Sequence, residues 1–131
     1  MRALLVLLAL LAPVTARADD SCPVTPDATA DEIAAQASER YERGSVLYFQ
    51  GDYEGAVREY AATLCLLPSA TDVLYSIGQA YERLLEFEQA ISYYQRFVAI
   101  WAKADPELQK QVTQVKTRLT QLLAEERRIG P

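Results

Sequence analysis

The chemistry open to this chain is bounded first by a missing side chain. None of its 131 residues is a histidine. The usual general base near neutral pH is therefore absent, and with it any His-containing metal site or Ser-His-Asp arrangement. The 18 Asp and Glu residues are scattered, and the adjacent pairs near the two ends, Asp19-Asp20 and Glu125-Glu126, read as solvated charges. Spacing alone leaves room for a glycosidase-type carboxylate pair, but no pair is singled out. There is no Gly-rich phosphate loop and no Cys-x-x-Cys. The expectation is a non-enzymatic protein with no catalytic residues, cofactor or bound metal.

Two cysteines, Cys22 and Cys65, are the remaining reactive groups, and their state depends on compartment. Arg2 supplies a positive start, Ala3 to Ala12 are unbroken apolar chain, Pro13 interrupts it, and Ala16-Arg17-Ala18 has a small-x-small pattern. That is the layout of a cleavable secretory signal at 1–18. A membrane anchor is the other reading, but a span needs about 20 apolar residues. Cys22 follows Asp19-Asp20-Ser21 rather than a small apolar lead-in, which disfavours a lipoprotein. Export, periplasmic or secreted, would put both cysteines in an oxidising compartment, where an even count points to one disulfide. Two free thiols, one of them buried, is the alternative.

Cleavage after Ala18 would also remove Arg2 and Arg17, leaving 11 basic against 18 acidic residues, a net charge of −7 where the full chain carries −5. An acidic surface excludes nucleic acid as a partner and disfavours anionic membranes. It keeps the chain soluble.

The elements that must position these groups are helices. Residues 19–28 hold two prolines and read as an extended lead-in. Thr29 with Glu32 has capping-box spacing, and a helical pattern runs from there to Gln50, stopping at Gly51-Asp52. Further helices are predicted over Glu54–Leu67, Thr71–Leu84 and Phe87–Ala102, with Pro68-Ser69-Ala70 as a connector. Asp105-Pro106 forms an N-cap and first-position proline, starting a last helix to about Arg128 that Gly130-Pro131 ends. Nothing alternates like a strand, so the fold class is all-α.

Within this pattern the chain repeats itself. At an offset of 34 residues Gly44 falls on Gly78, Leu47 on Tyr81, Tyr53 on Phe87, Ala56 on Ala90, Val57 on Ile91 and Tyr60 on Tyr94. The period and the residue types, with Leu74, Ile77-Gly78, Thr63 and Pro68, resemble the tetratricopeptide (TPR) family. Close approach within each helix pair accounts for Gly44 and Gly78, with Ala56 and Ala90 as small partners. Arg40 and Arg43 depart from the pattern and suggest a solvent-facing first repeat. Phe97 stands where a small residue is usual. Ala102 replaces the terminating proline, suggesting a helix that runs on past its usual end. The resemblance implies two helical hairpins at 29–104, with repeats 37–70 and 71–104 forming a short α-solenoid, and a C-terminal helix at 105–131.

The same resemblance implies a concave groove lined by the first helix of each repeat. Carried over, its groove-facing positions are Ser38, Tyr41, Ser45, Tyr48 and Phe49, then Asp72, Tyr75, Gln79, Glu82 and Arg83. Tyr and Phe give large rigid contact area, and Gln79 with Arg83 could bond a peptide backbone or carboxylate. Any one aromatic could equally belong to the core. Tyr41 and Tyr75 are the best contact candidates. No lysine stands at the positions of the family's carboxylate clamp, which disfavours that kind of tail binding. The expected partner is an apolar or mixed peptide or a protein surface, and the expected role a bacterial envelope adaptor.

Two hairpins bury little by themselves. In the last helix Leu108, Val112, Val115, Leu119 and Leu122 recur at spacings of four, three, four and three, one apolar stripe. It reads as a cap on the second repeat or, alternatively, as a homodimer surface, since that spacing suits a short coiled coil.

Overall fold

The computed structural model describes residues 22, 25–104 and 106–129. Those residues form five helices: α1 (Ala30–Phe49), α2 (Tyr53–Leu66), α3 (Val73–Arg83), α4 (Phe87–Trp101) and α5 (Pro106–Ile129). The secretory signal expected at 1–18, the Asp105 cap and the Gly130-Pro131 stop lie outside the described residues. No described helix is long and apolar enough to cross a membrane.

Local chemistry sets the ends. The Thr29 hydroxyl accepts from the Glu32 N–H at 3.2 Å, and the Glu32 carboxylate accepts from the Thr29 N–H at 2.9 Å, so the capping box is formed. Asp52 caps α2 through the Gly55 N–H at 2.9 Å. α3 starts at Val73 rather than Thr71, because the first N–H groups of that stretch bond back three residues, Val73 to Ala70 and Leu74 to Thr71. α4 ends at Trp101, one position beyond the equivalent of Leu66. The overrun inferred from Ala102 is thus a single residue.

The 34-residue period is present in the backbone bonding. In the first inter-helix turn the N–H groups of Gln50, Gly51, Asp52 and Ala56 donate to the carbonyls of Val46, Tyr48, Leu47 and Asp52. In the second, Leu84, Leu85, Glu86 and Ala90 donate to Ala80, Glu82, Tyr81 and Glu86. Each bond of one turn is a bond of the other shifted by 34.

Packing repeats too. A Cβ on Gly44 would meet the Tyr60 ring at 2.7 Å, and one on Gly78 would meet the Tyr94 ring at 2.5 Å. The glycines are there so that α1 and α3 can lie against these rings. The partner is the tyrosine rather than Ala56 or Ala90, although both alanines are fully buried. Around them lie two cores, one of Ala56, Tyr60, Val73 and Ile77, the other of Leu74, Ala90, Ile91, Tyr94, Phe97 and residues of α5.

α5 completes the second core. Val112, Val115 and Leu122 are buried in it, Leu119 packs partly against it, and Leu108 is exposed beside Phe97, Trp101 and Val112. Three of the five stripe residues are therefore covered by this chain's own helices and are not free for a homodimer, while Leu108 stays 37% exposed. The reason is volume: α4 turns its own apolar side, including Phe97 and Trp101, toward α5. Arg40 departs from expectation as well. It is half-buried and reaches α2, its guanidinium 3.2 Å from the Glu59 carboxylate, while Arg43 stays outside on Glu39.

Cys22 and Cys65 are joined by a disulfide, with Cα atoms 5.4 Å apart at a sequence separation of 43. It fastens the lead-in to the end of α2 and is compatible with an oxidising, exported location.

Candidate partner-binding face

α1 and α3 present equivalent tyrosines. Tyr41 lies 5.3 Å from Tyr60 at an interplanar angle of 37°, and Tyr75 lies 6.0 Å from Tyr94 at 36°. Each ring therefore rests one side on the tyrosine packed over the glycine. Tyr41 is the more open, at 36% exposure, and its hydroxyl reaches Ser76 of α3 at 3.4 Å. Tyr75 is also backed by Phe97 at 5.7 Å, and its hydroxyl accepts from Gln79 Nε2 at 2.9 Å. Both tyrosines are therefore half framework and half surface.

The other expected residues divide. Ser45 points inward, its hydroxyl 3.2 Å from that of Tyr60. Tyr48 stacks edge-on against Tyr53 and Phe49. Phe49 itself is 87% exposed. Arg83 folds across the turn, donating to the Tyr53 hydroxyl from Nε at 3.0 Å and from a terminal nitrogen at 2.7 Å, with its guanidinium 5.1 Å from that ring's centre. That bond raises the affinity of Arg83 for its proton. Gln79 and Arg83, expected to be free donors, are thus already engaged within the chain.

Five of the ten expected groove positions, Glu82 among them, meet at one place. Tyr48, Tyr75, Gln79, Glu82 and Arg83 line a cavity of about 290 Å³, completed by Tyr94 and three residues of α5: Gln114, Val115 and Arg118. Tyr41 instead borders a smaller hollow of about 180 Å³ with Ser38, Ala37, Thr63, Asp72 and Val73. Ser45 and Phe49 border neither.

Sequence reasoning missed the contribution of α5. Arg118 Nε donates to Glu82 at 2.7 Å across 36 residues. The signal available was its place beside the apolar stripe, three residues after Val115 and four before Leu122. The cavity is consequently charged, with two guanidinium groups against one carboxylate. Burial is the main force holding the Tyr94 hydroxyl protonated, and the Glu82 carboxylate adds to it. Tyr48 is also shifted upward by burial, against the opposing pull of Arg83. The arrangement offers aromatic faces and hydrogen-bond donors to a ligand, with the walls held by an ion pair and a cation–π contact.

No protein-family model matches this chain, and no curated protein matches it.

Proposed function

We propose that this protein is an exported, TPR-type adaptor that binds a peptide or protein surface on the face made by α1 and α3. The observation that carries the reading is the bond-for-bond repetition of the two helix pairs at 34 residues, which sets Tyr41 and Tyr75 in equivalent poses along one face. Repeats of this kind build interaction surfaces by stacking, and two separate hollows are lined in part by residues of α1 and α3. The Cys22–Cys65 bridge and the secretory layout of residues 1–18 support a role in the bacterial cell envelope.

The reading is tested by immobilising the protein and passing envelope extract over it, in parallel with a Tyr41→Ala/Arg83→Ala/Gln114→Ala variant. These three side chains open to the face, and circular dichroism checks that the variant stays folded. A protein held by the parent and lost from the variant supports the adaptor. Retention of the same proteins by both, or of none, removes the α1/α3 face as the binding site.

A further inference from the structure

The two inter-helix turns differ in one respect. Both place a residue at positive φ, Gly51 at +83° and Leu85 at +60°. Glycine adopts that conformation freely, whereas leucine does not. Leu85 is nevertheless 73% exposed, so it serves neither the turn nor the core. Ile129 near the end of α5 is 67% exposed, and with Leu85 and Phe87 it lines a cavity of about 450 Å³. No residue of this cavity belongs to the α1/α3 face.

The rest of its wall is Glu86, Glu88, Glu126 and Gln89. Among the described residues none of these three carboxylates lies within ion-pair distance of a cation; the four pairs formed use Glu39, Glu59, Glu82 and Glu125. The basic residues in the last turn of α5 are engaged elsewhere, Arg128 with Glu125 and Arg127 with the Leu123 carbonyl. At the corresponding first turn, nothing lies within 4 Å of where a Gly51 Cβ would stand. The second turn thus sets an exposed leucine beside Phe87 and Ile129 under an unpaired acidic rim, where the first turn has a glycine with open space around it.

We infer that this cavity is a separate interaction surface for a partner segment that carries apolar side chains flanked by lysine or arginine. The apolar floor formed by Leu85, Phe87 and Ile129 takes the apolar side chains, and the rim takes the cations. An acidic segment would meet three carboxylates without compensation. A second copy of this chain fits poorly, because a two-fold contact sets a patch against itself and would oppose the same carboxylates. The charge of the whole chain, −5, works in the same direction.

The test is fluorescence anisotropy of labelled hexapeptides titrated with the full chain. The three probes are Lys-Lys-Leu-Leu-Lys-Lys, its Ser-Ser-centred analogue and its Glu-flanked analogue. The leucine-centred basic probe is expected to bind tightest. Its affinity should fall about tenfold in Leu85→Gly/Ile129→Ser and again in Glu86→Gln/Glu88→Gln/Glu126→Gln. Glu86 makes no capping bond, but Glu86 and Glu88 lie at the N-terminus of α4, where negative charge favours the helix, so circular dichroism checks that this variant stays folded. Leu85→Gly relaxes the turn, which separates lost binding from lost folding. A distant pair of charge removals, Glu39→Gln/Glu42→Gln, should change affinity by less than about twofold.

Equal binding of the leucine- and serine-centred probes, or equal losses in the distant variant, would reduce the effect to general charge attraction and overturn the proposal. So would unchanged binding in Leu85→Gly/Ile129→Ser. A dimer in sedimentation that this variant dissolves would make a second copy the occupant instead. The adaptor reading is unaffected by any of these outcomes, since the variant leaves the α1/α3 face intact.

Discussion

Replacing Gly78 by alanine should destabilise the protein, although the same change in an ordinary helix interior stabilises it by about 0.8–1 kcal/mol. The added Cβ would stand 2.5 Å from Tyr94 Cε1 and 2.6 Å from Cδ1, roughly 1 Å inside ordinary carbon contact. Tyr94 cannot retreat, being buried among Leu74, Ile91, Phe97 and Val115 with Tyr75 against its ring. Overpacking of this size costs about 2–3 kcal/mol, which leaves a net loss of about 1–2 kcal/mol after the helix gain. In a domain of this length that lowers the melting temperature by about 5–10 °C. The decisive assay is a double-mutant cycle followed by denaturant unfolding. With Tyr94→Val the δ and ε carbons are gone, so Gly78→Ala should change sign and stabilise, giving a coupling of about 2–3 kcal/mol. The Gly44/Tyr60 pair, at 2.7 Å, should behave alike. Additive effects, or a Gly78→Ala variant as stable as the parent, would refute the close-approach argument. Gly51→Ala is the contrast: its site is open, so any loss there comes from its positive φ alone.

Leu85→Gly should raise stability by up to about 1 kcal/mol in thermal melts, since relief of the left-handed backbone outweighs the greater freedom of the unfolded chain. Reducing the Cys22–Cys65 bridge should cost up to about 4 kcal/mol, the loop entropy for 43 residues, read as a reductant-dependent shift in the unfolding midpoint. The acid groups Tyr60, Tyr81 and Tyr94 are all shifted upward by burial. Their contribution is therefore complete below about pH 10, the unfolded tyrosine value, and is lost as pH rises beyond it. Unfolding followed against pH should steepen there, by up to about 1.4 kcal/mol per pH unit for each such tyrosine, and Tyr94→Phe should reduce that slope.

Much of the architecture was legible because it rests on rules that act within a turn or two of chain. Thr29 and Glu32 cap α1 from three residues apart, Gly51-Asp52 turns the chain where a positive φ and a side-chain cap are both needed, and Pro106 opens α5. The period of 34 could be read because each unit solves the same packing problem with the same glycine and tyrosine. Cys22 and Cys65 could be paired by count and compartment, though only as one of two alternatives.

Side chains that meet across large sequence separations were decided by the tertiary structure alone. Arg83 looked like a free donor one turn from Gln79, yet the crossing of α2 and α3 brings Tyr53 beneath its guanidinium. Arg118 carried no role in the sequence reading, and only the packing of α5 set it on Glu82 and made it a wall of the α1/α3 cavity. The same packing resolved the stripe itself, burying Val112, Val115 and Leu122 within the chain instead of leaving them for a partner. Capping, φ preference and apolar period are written in neighbouring residues. Which exposed groups converge depends on helix crossing and rotation, and these follow from the summed packing of the whole core.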